Sequence, residues 1–131
     1  MKYLLDTHIL LWIAMQPEKL TPEVANILKD TRHELWFSPI SAWEILVLAE
    51  KQRLRLFSEP RQFLRTIIAD LDLIEAPLTL EVAIRSRLLD LSHQDPADRF
   101  IAATTIVYGL TLITADERLL ASTEISLLSN K

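Results

Sequence analysis

Four carboxylates stand at equivalent places in this chain. Asp6 directly follows a short apolar run, Lys2 to Leu5, and Asp116 lies two residues past another, Leu110 to Thr114. Glu44 and Asp98 stand near the starts of two helical patterns. In an open parallel α/β sheet, ligands bind at the carboxyl ends of the strands, and helices that follow strands begin at that same edge. Each acid also has a structural reading as a helix cap. Asp6 and Asp116 precede short helical patterns, while Glu44 and Asp98 lie three residues after Ser41 and Asp95, the spacing of a capping box. The helix faces argue that capping is not the whole account. Glu44 aligns with Ile40, Val47 and Leu48, and Asp98 with Ile101, Ala102 and Thr105, so both fall in the stripe expected to face the core. A carboxylate buried without a partner costs several kcal/mol, whereas a good cap contributes about 1 kcal/mol. The sequence places no lysine or arginine to partner both acids, which leaves a divalent cation as the simplest partner. Oxygen-only ligands select a hard ion, Mg²⁺ or Mn²⁺. Such ions activate and orient water and neutralise charge on a phosphate, so four acids around one or two of them suit phosphodiester hydrolysis.

The elements that must position these acids follow from the hydrophobic pattern. Short apolar runs alternate with helical stretches, the signature of an α/β fold with a mostly parallel sheet of four to five strands. Strands are expected at 2–5, 34–38, 71–76 and 110–114, with an edge strand at 125–128. Helices are expected at 9–15, 21–31, 41–52, 60–70, 79–91, 95–108 and 116–121. Thr21-Pro22-Glu23 combines a capping hydroxyl, a proline at the first helical position and an early acid. Ser41-Ala42-Trp43-Glu44 matches a capping box. Gly109, the single glycine, follows Tyr108 where a helix should stop.

Composition excludes several classes. At 131 residues there is room for one domain, residues 1–131, and half the residues are hydrophobic, enough for a globular core. There is no cysteine, hence no disulfide, thiol catalysis or cysteine-based zinc site. A single glycine cannot build a phosphate-cradling loop. The net charge of −4 argues against gripping nucleic acid by bulk positive charge. No segment reads as a signal peptide or membrane span, so a cytoplasmic protein is expected. His8, His33 and His93 show no metal-ligand spacing, and His93 is placed to brace the Asp95 segment. Phosphoryl transfer through Asp6 is disfavoured, because dehalogenase-like phosphatases want an aspartate where His8 stands and receiver domains want the acceptor mid-chain.

Leu4-Leu5-Asp6-Thr7-His8, Ser38-Pro39-Ile40-Ser41-Ala42-Trp43-Glu44, His93 through Ala103 (His-Gln-Asp-Pro-Ala-Asp-Arg-Phe-Ile-Ala-Ala) and Leu112-Ile113-Thr114-Ala115-Asp116 occur in order along the whole chain. Together they resemble the PIN-domain ribonucleases, specifically the VapC-type toxins of bacterial toxin–antitoxin pairs. The resemblance implies a three-layer α/β/α fold and a Mg²⁺- or Mn²⁺-dependent endoribonuclease. It implies that Asp6, Glu44, Asp98 and Asp116 are the metal-binding and catalytic acids. Asp95 is the further candidate ligand, with capping of its helix the favoured role. Thr7 and Thr114 are placed to hydrogen-bond the acids beside them. The implied partners are an RNA substrate, a cognate antitoxin and a second copy in a homodimer, with no membrane. The alternative reading is a non-catalytic PIN scaffold that binds RNA or a partner protein; completeness of the acids favours the enzyme. With such a site, Lys51, Arg53, Arg55, Arg61 and Arg65 become candidates for RNA phosphates, and Arg99 for steering phosphate or pairing with Asp95. His8 is expected to pack locally, and Trp12, Trp36 and Trp43 to serve the core or an interface more than to stack on bases. Residues 44–64, with Val47, Leu48, Leu54, Leu56, Phe57, Phe63 and Leu64 beside basic residues, read as a groove for an amphipathic helix.

Overall fold

The computed structural model of the protein describes residues 1–91 and 94–131. The short apolar runs form five strands: β1 (Lys2–Leu5), β2 (Glu34–Phe37), β3 (Ile74–Glu75), β4 (Thr111–Thr114) and β5 (Ser126–Ser129). They make one sheet in the order β3-β2-β1-β4-β5, with every pair parallel. β1 lies at the centre, where Leu4 registers with Trp36 on one side and Leu112 on the other.

A parallel sheet is covered on both faces, so its strands read as continuous apolar runs. Successive side chains of β1 accordingly enter different cores. Tyr3 and Leu5, with Ile113 of β4, join a core built from α1 (Thr7–Met15), α2 (Pro22–Lys29), α3 (Pro39–Glu50) and α4 (Pro60–Asp70). Its buried anchors include Ile9, Leu10, Val24, Ile45, Phe63 and Ile67. Leu4 and Leu112 point to the other face and pack with α5 (Leu80–Leu88), α6 (Pro96–Tyr108) and α7 (Glu117–Leu120) through Val82, Ile101, Ala102 and Leu119. The result is the expected three-layer α/β/α arrangement. Among the described residues, no helix is long and apolar enough to cross a membrane.

Local chemistry sets the boundaries. Proline opens α2, α3, α4 and α6, where its missing N–H costs nothing. Thr21 caps α2 by accepting from Val24 N, and Gly109 ends α6 at φ 65°, a left-handed turn that a Cβ would strain. Three expectations are corrected. α3 starts at Pro39 with Ser38 as its cap, whose Oγ accepts from Ile40 N at 3.1 Å, so Ser41 is buried within the helix and the Ser41–Glu44 capping box does not form. The third strand is shorter than 71–76: Leu71 N still donates to Ile67 O and Asp72 turns at φ 50°, so pairing with β2 begins only at Ile74. α5 also stops at Leu88, before the expected Leu91.

Candidate active site

Asp6 leaves the central strand and caps α1. Its Oδ1 accepts from Thr7 N at 2.8 Å and its Oδ2 from the Thr114 hydroxyl at 2.6 Å. Thr114, the last residue of β4, also accepts from Asp116 N at 3.0 Å, so one buried hydroxyl ties two of the predicted acids together. Thr114 thus hydrogen-bonds the acid beside it, as expected from the sequence. Asp6 is 6% exposed, and burial pushes its carboxyl above the ordinary range despite the donors from Thr114 and Thr7.

Glu44 lies in the second turn of α3, beside the buried Ser41–Ile45 stripe, and is half-buried. Its Oε1 accepts from the Thr7 hydroxyl at 2.6 Å, and Thr7 Oγ1 is 2.9 Å from Ser41 Oγ. Thr7 therefore joins Glu44 through its hydroxyl to Asp6 through its amide. Burial pushes the Glu44 carboxyl up; Thr7 opposes this, while Asp6 and Asp95 add to it.

Asp98 and Asp116 complete the group from the other side. Asp98, in the first turn of α6, is 7% exposed. Burial, reinforced by the charges of Asp95, Asp116 and Asp6, pushes its carboxyl up to about 7. Asp116 caps α7, its Oδ1 accepting from Arg118 N at 2.9 Å. Burial raises the Asp116 carboxyl, but the Arg118 side-chain and backbone hydrogen bonds outweigh it and hold the group below its usual range. One Arg118 nitrogen, Nη2, donates to Asp98 Oδ2 at 3.2 Å and to Asp116 Oδ2 at 3.3 Å. The sequence pointed to no cation partner for Asp98; Arg118 supplies one and bridges it to Asp116. Its signal in the sequence was its place two residues after a capping aspartate, which folds its side chain back over the cap. Asp95 caps α6, accepting from Ala97 N at 3.0 Å and Asp98 N at 3.4 Å, as favoured from the sequence.

The four predicted acids therefore converge at the carboxyl edge of the sheet, close enough that each feels the charge of at least one other or is tied to it by a shared threonine. Their donor chemistry, oxygen only and strongly anionic, fits a hard divalent ion. Among the described residues, no three His, Asp or Glu side chains stand together as a ready-made ion cage. Each acid is instead turned onto a protein donor: Thr114 and Thr7 for Asp6 and Glu44, Arg118 for Asp98 and Asp116.

Other predicted residues divide. Arg99 does not face the site: it is 5% exposed, and its Nε and Nη2 donate to Ser86 O and Leu89 O, each at 2.8 Å, fastening the end of α5. His8 is exposed, tilted against Trp12 at 6.2 Å. His93 lies outside the described residues. Trp12 and Trp36 are partly buried, as expected, but Trp43 is 56% exposed and lines a cavity of about 590 Å³ with Pro39, Ile40 and Leu78 against Glu44 and Asp95. Lys51, Arg53, Arg55, Arg61 and Arg65 are exposed. The 44–64 segment spends most of its apolar residues on the chain's own core: Phe63 is buried and Leu54, Leu56 and Leu64 pack against that core. Phe57, 81% exposed, remains at the mouth of an apolar cavity of about 440 Å³ shared with Ile13, Phe63, Ile67 and Leu71.

Residues 3–124 match the PIN domain family. The chain is 32% identical over 117 residues, 88% of each chain, to Ribonuclease VapC22 of Mycobacterium tuberculosis strain H37Rv. The fold is similar to that in the crystal structure of VapBC2 from Rickettsia felis bound to a DNA fragment from their promoter, with a TM-score of 0.75 at 16% identity over all of both chains. It is also similar to DNA-bound VapBC from Salmonella typhimurium, with a TM-score of 0.71 at 19% identity, covering 100% of this chain and 99% of that one. With its acids at the sheet edge where the quoted motifs put them, this chain belongs to the PIN-domain family, on its VapC branch.

Proposed function

We propose that this protein is a metal-dependent endoribonuclease acting in the cytoplasm as the toxin of a toxin–antitoxin pair. The observation that carries the reading is the convergence of Asp6, Glu44, Asp98 and Asp116, from four separate segments, with the Asp98 carboxyl pushed up by burial and further by its acidic neighbours. A fold tolerates such a cluster when it has a use for the charge. The identity with a ribonuclease supports the reaction class, and the similarity to VapBC complexes supports a protein partner.

When bound, Mg²⁺ or Mn²⁺ supplies an activated water and neutralises the phosphate's developing charge. The chain's part is to hold and orient the ligands. Thr114 and the Thr7 amide fix both oxygens of Asp6, and the Thr7 hydroxyl fixes Glu44. Asp98 and Asp116 supply carboxylates from the facing side. Trp43 offers an exposed ring beside Glu44 on which an RNA base stacks. The apolar cavity at Phe57 suits an apolar segment of the antitoxin. Leu80, Ile84 and Leu88 form an exposed stripe at four-residue spacing along α5, a surface suited to a twofold contact in a homodimer.

The test compares purified wild type with Asp6→Asn and Asp98→Asn on a mixed RNA substrate with Mn²⁺. Both variants should be folded and inactive. Cleavage retained in either, with contaminating nuclease excluded, would remove that residue from the site; retained in both, it would overturn the reading.

A further inference from the structure

We propose that Arg118 is a built-in competitor for the metal ion: in the ion-free protein its guanidinium holds Asp98 and Asp116 together, and a divalent ion must displace it from both. The inference rests on the metal-dependent reading above. Its geometric basis is the bridge itself. Asp98 comes from α6 and Asp116 from the turn after β4, and Arg118 Nη2 reaches both, at 3.2 and 3.3 Å, while its Nε lies 3.4 Å from Asp116 Oδ1. The other two acids are held by neutral hydroxyls, which keep donating when a cation arrives. Arg118 cannot stay in the same way, because a guanidinium and a divalent ion repel each other at the same carboxylates.

Three features suit the arginine to exchange. Its side chain is about half exposed, so it can swing into solvent without opening the core. It remains charged at every working pH, so the competition does not fade on titration. It is anchored two residues from Asp116 and stays near the site after release. The bridge also accounts for the lack of a ready-made ion cage among the described residues, since two of the acids are turned to the arginine. Ion binding is then discounted by the fraction of molecules in which the bridge is open.

The experiment measures Mn²⁺ affinity by calorimetry at fixed ionic strength for wild type, Arg118→Gln, Arg118→Lys and Lys131→Gln. Lys131 bonds Glu117 at 2.7 Å, so Lys131→Gln removes one positive charge near α7 without touching the bridge. Arg118→Gln should bind Mn²⁺ roughly 5- to 50-fold more tightly, the range set by charge-assisted hydrogen bonds, and melt lower in EDTA. Arg118→Lys, with a single point of contact, should fall between it and wild type. Lys131→Gln should stay within about twofold of wild type. Equal or weaker affinity in Arg118→Gln would overturn the proposal, as would an equal gain in Lys131→Gln. Absence of Mn²⁺ binding in all four proteins would overturn the metal reading and the proposal together, and the wild-type value tells that failure from the others.

Discussion

The two halves of the acidic cluster are held by different chemistry. Asp6 and Glu44 rest on hydroxyls and an amide, from Thr114 and Thr7, in the shelter of the sheet edge. Asp98 and Asp116 rest on the charged Arg118, whose side chain is about half exposed. Neutral donors fix geometry and leave net charge unchanged; a cation neutralises charge and must leave when another cation takes its place. The first half is thus a preset frame, and the second is the part whose state depends on what is bound. That division is open to experiment residue by residue.

The largest effect belongs to the acids themselves. Asp6→Asn in one half and Asp98→Asn in the other should each lower RNA cleavage about a thousandfold or more, with unchanged far-UV circular dichroism. Loss in only one half would break the comparison and leave the other half with structure alone. Next come the frame's hydroxyls. Thr114→Val removes the donor to Asp6 Oδ2 and the acceptor for Asp116 N, and should cost about 1–3 kcal/mol in denaturant unfolding and about 10- to 100-fold in cleavage. Thr114→Ser should restore most of both. A wild-type rate in Thr114→Val would show that the frame needs no hydroxyl.

The third effect is on pH dependence. Asp98 is held up to about 7 in the fold, against an ordinary value of 3.8. Between those values the folded state binds more protons than the unfolded state, so the metal-free protein should lose stability as pH rises from about 4 to about 7. Saturating Mn²⁺ should flatten or reverse that slope, because ion binding requires the ionised carboxylate. Melting curves across this range, with EDTA or Mn²⁺, decide it; a metal-free slope of opposite sign would contradict the placement of Asp98. The smallest effect is at Asp95. Asparagine caps nearly as well as aspartate, so Asp95→Asn should change stability by less than about 0.5 kcal/mol and cleave far better than Asp98→Asn. Equal severity would move Asp95 among the ion's ligands.

Much of this was legible in the sequence because local rules and tertiary demands agreed. Thr21, Asp95 and Gly109 sit where helix ends need them, and the apolar runs became parallel strands. Misreadings arose where a tertiary contact overrode a local pattern. Ser41 looked like a cap but is buried against Thr7, because Ser38 had already opened the helix. Arg99 sits beside Asp98 in sequence, yet a helix turns neighbours about 100° apart, and it points to the end of α5. Trp43 shares an apolar pattern with buried residues but lies on the open side of α3. Arg118 was missed because its partner Asp98 is brought near only by the packing of α6 beside β4 and α7.

The measurement that reaches furthest is RNA cleavage by the wild-type protein in EDTA and after graded addition of Mg²⁺ or Mn²⁺, beside Asp98→Asn purified in parallel. Cleavage should be absent in EDTA, return with the added ion, and remain absent in Asp98→Asn at every ion concentration. Full cleavage in EDTA by wild type, from a preparation whose Asp98→Asn counterpart is inactive, would contradict a metal-dependent mechanism and leave the acids to act without an ion.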